Sequence, residues 1–363
     1  MRILIVKLSS LGDVIHTLPA LFLLRKKYPD AHITWLIEEE SADLVVDHPL
    51  IDNIIVFRKK RWLHGLGGYR KLAQTFHEAA DFIKELRSSS YDLVIDFQGL
   101  LKSGILVGLC RGKRKRGFYP GREKSHLFLN EKVPHPGFGL HAVDRYISLI
   151  SSLGCSCQSP EFSISIHQAQ RDRVAAFFQE KGISAEKPIV LLHPGTRWES
   201  KLWEEKRWAL LGDLLRDKND AQVIFTGSRG DVSLISRITK QMRTPGVTAA
   251  GSLNLKELAF LQTQADVVVI PDSGPMHLAA ALGRPVVALF GPTDPSRTGP
   301  YGDIHSVIFK TMECRPCFRR QCSFNKCMKE ISEIEVWEAT QPYLSDSDRQ
   351  KIITEQEKCH GLK

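Results

Sequence analysis

The chain has 363 residues, 42% of them hydrophobic and 25% charged, with a formal net charge of +9. That length exceeds one ordinary domain, and the composition is that of a globular protein rather than a disordered or fibrous one. No run approaches the roughly 20 apolar residues that cross a bilayer, and the four-residue apolar run after Met1-Arg2 is too short for a secretory leader, so a cytoplasmic protein is expected.

Taken in order, Arg2-Ile-Leu-Ile-Val6 reads as a first buried strand. Lys7-Leu-Ser-Ser-Leu-Gly-Asp13 is a polar turn into a helix over Val14–Lys27, and further strands are expected at 33–37, 54–57 and 93–97. Helical spacing covers Lys71–Arg87 and His141–Leu153. A second unit of the same plan begins near Gln168, with a helix to Lys181, a new first strand at Ile189–Leu192, and a strand at Gln222–Phe225. Helices are expected at Lys206–Leu215, Val232–Met242 and Leu255–Thr263. Val267–Ile270 and Val286–Phe290 are apolar runs without alternation, which suits strands buried on both faces of a parallel sheet. The alternation of strands and helices predicts two α/β units with sheets wound on both faces, and a polar helical tail from Ile331.

Three turns carry candidate chemistry. At the first, Ser9, Ser10 and Gly12 let a ligand approach the backbone, and Asp13 sits where a helix dipole favours a carboxylate; a plain helix cap is the alternative. At the second, His193-Pro-Gly-Thr196 with Lys201 offers a hydroxyl and a cation suited to phosphates, with no carboxylate cluster for Mg²⁺. At the third, Asp272-Ser-Gly-Pro-Met-His277 starts a short helix: Ser273 can cap, Gly274 and Pro275 open the first turn, and the free N–H groups can meet an anion. Gly65-Leu-Gly-Gly68 lacks the strand and helix a dinucleotide fingerprint needs.

The basic excess is local. Arg58–Lys71 holds six Lys or Arg and no acid, and Arg111–Lys124 holds seven and only Glu123. Such windows suit a polyanion, and Trp62, Tyr69, Phe118 and Tyr119 among them would permit base stacking as readily as sugar or lipid-headgroup contact. Neither window forms a nucleic-acid reader motif, so no nucleic-acid partner is expected. Of eight cysteines, Cys110, Cys155, Cys157 and Cys359 look incidental, whereas Cys314, Cys317, Cys322 and Cys327 make C-x2-C-x4-C-x4-C. A structural zinc, reduced thiols and a redox pair all stay open there.

Together these pieces resemble glycosyltransferase family 9, the ADP-heptose:lipopolysaccharide heptosyltransferases. The resemblance is carried by Val6-Lys-Leu-Ser-Ser-Leu-Gly-Asp-Val-Ile-His-Thr-Leu-Pro-Ala20, Asp96-Phe-Gln-Gly-Leu-Leu-Lys-Ser103, Gly121-Arg-Glu123, His193-Pro-Gly-Thr196 with Lys201, and Pro271-Asp-Ser-Gly-Pro-Met-His277 with Phe290-Gly-Pro-Thr-Asp294. It looks most like the branch that adds the first heptose to Kdo-lipid A, although the four-cysteine segment is more like other branches, including second-heptose enzymes. The resemblance implies a GT-B fold: a Rossmann-like acceptor domain (1–167) and a Rossmann-like nucleotide-sugar domain (168–330) facing across a cleft, with the tail (331–363) crossing back.

It further implies inverting, metal-independent transfer with Asp13 as general base, its pKa raised in a closed cleft. The ADP-heptose donor would be held by Thr196, Lys201, Asp272, Ser273, Gly274 and His277. An anionic lipid-linked saccharide at the inner-membrane surface would be held by Ser9, Ser10, Gly12, Lys60, Arg61, Gln98 and Arg122. The alternatives are heptosyl-Kdo-lipid A as acceptor, another nucleotide sugar as donor, or a non-catalytic nucleotide-binding module at a membrane surface.

Overall fold

In the computed structural model the described residues are 1–345, except 66–68, 138, 156–158 and 185; the side chains of 63–73 are likewise not described. Cys157, Cys359 and most of the Gly65–Gly68 stretch therefore lie outside the description. The chain forms two compact units, Met1–Ser165 and Ile166–Lys363.

The first unit is a six-stranded sheet of β1 (Arg2–Val6), β2 (His32–Glu38), β3 (Asn53–Phe57), β4 (Ser90–Asp96), β5 (Arg111–Tyr119) and β6 (Glu131–Pro134). Its spatial order is β3-β2-β1-β4-β5-β6, every pair parallel. The second unit repeats the plan with β7 (Ile189–Leu192), β8 (Gln222–Phe225), β9 (Val247–Thr248), β10 (Val267–Pro271), β11 (Val286–Phe290) and β12 (Ser306–Phe309), in the order β12-β11-β10-β7-β8-β9. In both units the first strand lies beside the fourth, so the order reverses there. Ligands of doubly wound sheets bind outside the carboxyl ends of the strands at such a reversal.

The apolar runs explain why both faces are covered. Val190, Leu192, Val223, Phe225, Val267, Val269, Val287 and Leu289 point into one core of the second unit. Their chain neighbours Ile189, Leu191, Ile224, Val268, Ile270, Val286, Ala288 and Phe290 point into the other. Each strand is therefore apolar throughout because its two side-chain rows feed two cores.

The structure adds elements that the hydrophobic pattern did not predict. β5 (Arg-Gly-Lys-Arg-Lys-Arg-Gly-Phe-Tyr) lies between β4 and β6 despite its charge. Arg116 is buried in it: its Nε donates to the Leu149 carbonyl at 2.8 Å and its Nη1 pairs with Glu131 at 3.1 Å. Arg114 also pairs with Glu131, and Lys113 with Asp92 at 3.0 Å. Much of the second basic window is therefore sheet structure with its own counter-charges rather than a free polycationic surface. Leu101–Leu109 is a further unexpected helix, and Gly104 and Gly108 let Phe128 pack against it, since a Cβ at either would lie 2.8 or 2.7 Å from that ring. In the tail, Ile331 and Val336 are buried in the second unit's core, and the Trp203 indole donates to the Ile331 carbonyl at 2.9 Å. The expected return of the tail toward the first domain would fall to residues 346–363, outside the described residues.

Candidate active site

At the β1/β4 reversal of the first unit, the turn after β1 meets the turn after β4. The Gln98 amide oxygen accepts from the N–H groups of Leu8 and Ser9, both at 3.1 Å. Lys102 Nζ braces the same turn, donating to Ser9 Oγ at 3.0 Å and to Glu38 at 2.7 Å. Ser10 then opens the helix Leu11–Lys27, and Asp13 is its third residue. Asp13 Oδ2 accepts from the Ser10 N–H at 3.1 Å and the Ser10 hydroxyl at 2.9 Å, so the dull reading as a helix cap is half realised.

The other oxygen does something a cap does not require. Asp13 Oδ1 accepts from the Tyr146 hydroxyl at 2.9 Å and lies 3.7 Å from Lys7 Nζ. Lys7 is buried (1% exposed), donates to Tyr146 Oη at 2.6 Å and to the Phe97 carbonyl at 3.1 Å, and lies 4.4 Å from the Tyr146 ring centre. The Asp13 side chain is still 36% exposed, and an ionised carboxylate has about four acceptor sites, so one direction stays open to a ligand.

These neighbours set the charges. Burial pushes the Asp13 carboxyl up, but the Lys7 ammonium, the two Ser10 donors and the Tyr146 hydroxyl more than offset this and hold it below the usual carboxylate range. That corrects the expectation of a raised value: the donors around the carboxylate outweigh its desolvation. Burial lowers Lys7, against the attraction of Asp13 and Asp96. Asp96, at the end of β4, is raised by burial although the Gly99 and Gln98 N–H groups and Ser103 Oγ all donate to it.

The second unit's reversal lies between β7 and β10. Lys201 Nζ, in a single helical turn after β7, bonds Asp272 Oδ2 at 2.6 Å, and Thr293 Oγ1 bonds the same oxygen at 2.7 Å. Asp272 follows β10 and is 6% exposed. The Lys201 ammonium also lies 4.4 Å from the Trp198 ring centre. Ser273 begins the helix Gly274–Ala281, yet its side chain makes no capping bond. Its hydroxyl oxygen is buried without a hydrogen-bond partner, which corrects the capping role. An orphaned buried hydroxyl at a helix N-terminus suits an anionic ligand oxygen. His277 is buried in the same first turn, and Thr196 is half-buried.

Gly195 follows the loop from His193. A Cβ there would lie 2.5 Å from the Asp231 carboxylate, which is held by the N–H and hydroxyl of Ser228. His193 bonds Thr226 Oγ1 at 2.9 Å, and burial pushes its imidazole down to about 4, so it is neutral at physiological pH.

The expected acceptor cations divide. Lys60 is paired with Glu40 and Arg61 with Glu78, each at 2.9 Å, while Arg122 is exposed. The structure thus joins Ser9, Ser10, Asp13 and Gln98 by direct hydrogen bonds, and Lys201 with Asp272; it does not bring Lys60, Arg61 or Arg122 into either set. Of the four clustered cysteines, Cys314 is exposed, Cys317 and Cys322 are half-buried, and Cys327 is buried, all as free thiols. Among the described residues no group of three or more His, Cys, Asp or Glu side chains is placed to hold a metal ion.

Sequence reasoning missed Tyr146 and Thr293 as site residues. Lys7 had a signal, a charge directly after a fully apolar strand; Tyr146 had none, since it reaches Asp13 across 133 positions.

Two doubly wound parallel sheets, each with polar groups converging at its strand-order reversal, are the α/β architecture of the GT-B class. The profile of glycosyltransferase family 9 (heptosyltransferase) matches residues 79–328. Lipopolysaccharide heptosyltransferase 1 of Pseudomonas aeruginosa is 32% identical over 329 residues, covering 89% of this chain and 88% of its own length. Among solved structures, a family 9 glycosyltransferase from Veillonella parvula superposes with a TM-score of 0.77 at 26% identity, covering 94% of this chain and 97% of that one. The E. coli heptosyltransferase WaaC, solved with ADP, gives 0.70 at 31% identity, covering 85% and 92%. The chain belongs to glycosyltransferase family 9.

Proposed function

We propose that this glycosyltransferase of the lipopolysaccharide core moves heptose from ADP-heptose to the Kdo of Kdo-lipid A with inversion, Asp13 acting as general base. The observation that carries the reading is the Asp13 carboxylate itself: ionised, held by Ser10, Tyr146 and Lys7, and still open on one side. In this mechanism Asp13 takes the proton of an acceptor hydroxyl as its oxygen attacks the anomeric carbon. The bond from that carbon to the diphosphate oxygen breaks, and ADP leaves with the electron pair. No metal takes part in the reading; the departing charge is met by the Ser273 hydroxyl, the N–H groups of the helix Gly274–Ala281, and Lys201. Support for the donor comes from one relative, E. coli WaaC, solved with ADP and with ADP-2-deoxy-2-fluoro heptose.

The direct test offers ADP-heptose with Kdo-lipid A and, separately, with heptosyl-Kdo-lipid A. Transfer to the first and not the second is expected; transfer only to the heptosylated acceptor would overturn the assignment in favour of second-heptose addition.

Such an acceptor sits in a bilayer, and the reading places the enzyme at the cytoplasmic face of the inner membrane. No helix of the described residues is long and apolar enough to span a membrane. Exposed Leu101, Ile105 and Leu127, beside the exposed cations Arg122 and Lys124, support surface attachment to anionic lipid. Leu127→Ser combined with Ile105→Ser should reduce co-sedimentation with phosphatidylglycerol vesicles several-fold. Undiminished sedimentation would remove these residues from the attachment surface.

A further inference from the structure

The four-cysteine segment hydrogen-bonds to both turns that supply Asp272 with its side-chain donors. We infer that the segment 310–327 positions the donor site, with Arg315 as its central positioning residue. The inference rests on reading Lys201, Asp272 and Thr293 as part of that site.

Asp272 is held from two sides, by Lys201 in the turn Glu199–Lys201 and by Thr293 in the turn after β11. Neither turn belongs to a sheet ladder, so something else must set their spacing. The Arg315 guanidinium grips one of them: Nε donates to the Gly291 carbonyl and Nη2 to the Thr293 carbonyl at 3.0 Å. Its third arm, Nη1, donates back to Lys310 at 2.8 Å, and its guanidinium carbon lies 4.7 Å from the Phe309 ring centre. The carbonyl between, that of Pro292, accepts the N–H groups of Cys317 and Phe318, both at 3.0 Å. Three consecutive carbonyls of the Thr293 turn are thus all held by this one segment.

The same segment then crosses to the Lys201 turn. Ser200 donates its N–H to the Arg320 carbonyl at 3.2 Å and its hydroxyl to the Arg319 carbonyl at 2.6 Å. Asn325 Nδ2 reaches the Leu202 carbonyl at 3.3 Å, so both neighbours of Lys201 are tied. Arg320 lies over the Trp198 ring, whose centre is 5.5 Å away, and Lys201 is over the same ring. The two turns also touch: a Cβ on Gly291 would lie 3.3 Å from the Ser200 carbonyl oxygen.

The segment is therefore a strap across the two turns that supply Asp272 with its two donors. A planar guanidinium with several donors in a rigid fork holds multiple carbonyls as no other side chain does, so lysine is a poor substitute. Releasing the strap lets Thr293 and Lys201 drift apart, and the cost falls on donor affinity before the acceptor is involved.

The test uses the full chain and ADP itself, with calorimetric affinity, donor and acceptor KM, kcat and thermal midpoint read on each variant. Arg315→Met should raise the ADP dissociation constant and donor KM by about tenfold, the order lost with a charge-assisted hydrogen-bond network, and leave acceptor KM unchanged. Arg315→Lys should recover part of that loss. A folded Arg315→Met protein with wild-type ADP affinity overturns the proposal. Should Arg315→Met not fold, Ser200→Ala decides: about a threefold weaker ADP affinity is expected from one lost hydrogen bond, and no change overturns it. Wild-type protein that binds no ADP would overturn the donor-site reading first, and the strap's role with it.

Discussion

Asp13→Ala should lower heptosyl transfer by about a thousandfold, within the range a positioned general base contributes. ADP affinity should stay at its wild-type level, because the groups assigned to ADP belong to the second unit. Since its donors hold the Asp13 carboxyl below the usual range, the proton is off throughout the neutral region. The acid limb of kcat/KM assigned to Asp13 should consequently appear below the ordinary carboxylate range rather than near neutrality. The sign for stability is the same: a depressed carboxyl stabilises above its unfolded pKa, and that contribution is lost as pH falls through the folded one. Lys7→Met removes the strongest opposing charge, so the Asp13 pKa should rise and the acid limb should move toward neutral pH. Normal transfer by Asp13→Ala would sink the base assignment, and an unmoved limb in Lys7→Met would detach the lysine from it.

Lys201→Met should be at least as damaging, through a different route. It leaves the Asp272 carboxylate buried with Thr293 as its remaining side-chain donor in the described network, and breaking a buried pair from one side costs about 3–5 kcal/mol. A lowered thermal midpoint and loss of measurable ADP binding are expected together. The double variant Lys201→Met with Asp272→Asn separates the two, because removing both charges cancels the unpaired-charge penalty. Its midpoint should largely recover while ADP binding stays lost. If binding recovered too, Lys201 would be a strut for Asp272 and not a ligand of the diphosphate.

The parts of the fold that could be read in advance are those where local chemistry and final environment agree. The unbroken runs Val267–Ile270 and Val286–Phe290 announce strands between two cores, and the structure fills both cores from alternate residues of those strands. β5 could not be read this way, because its sheet position depends on residues distant in sequence: Glu131 and Asp92, which pair with its cations, and the Leu149 carbonyl, which accepts from Arg116. The same division runs through the site. Asp13, Ser10 and Gln98 stand in recognisable turns, and Lys201 and Asp272 belong to quoted motifs. Tyr146 lies in an ordinary amphipathic helix, and nothing local marks the residue that bridges Lys7 and Asp13. The value of the Asp13 pKa was also beyond the sequence, since its direction depends on whether desolvation or nearby donors win.

The internal pairing of the basic stretches bears on how this protein behaves toward other molecules in solution. A sequence isoelectric point near 9.1 suggests a strong positive field. Yet Arg58, Lys60, Arg61 and Lys113 each pair with an acidic side chain, and Arg114 and Arg116 share Glu131. Cations neutralised in this way release few bound ions when a polyelectrolyte arrives, so the local count of Lys and Arg in these stretches overstates their electrostatic reach. Retention on a cation-exchange matrix should accordingly be weaker than the bare residue count implies.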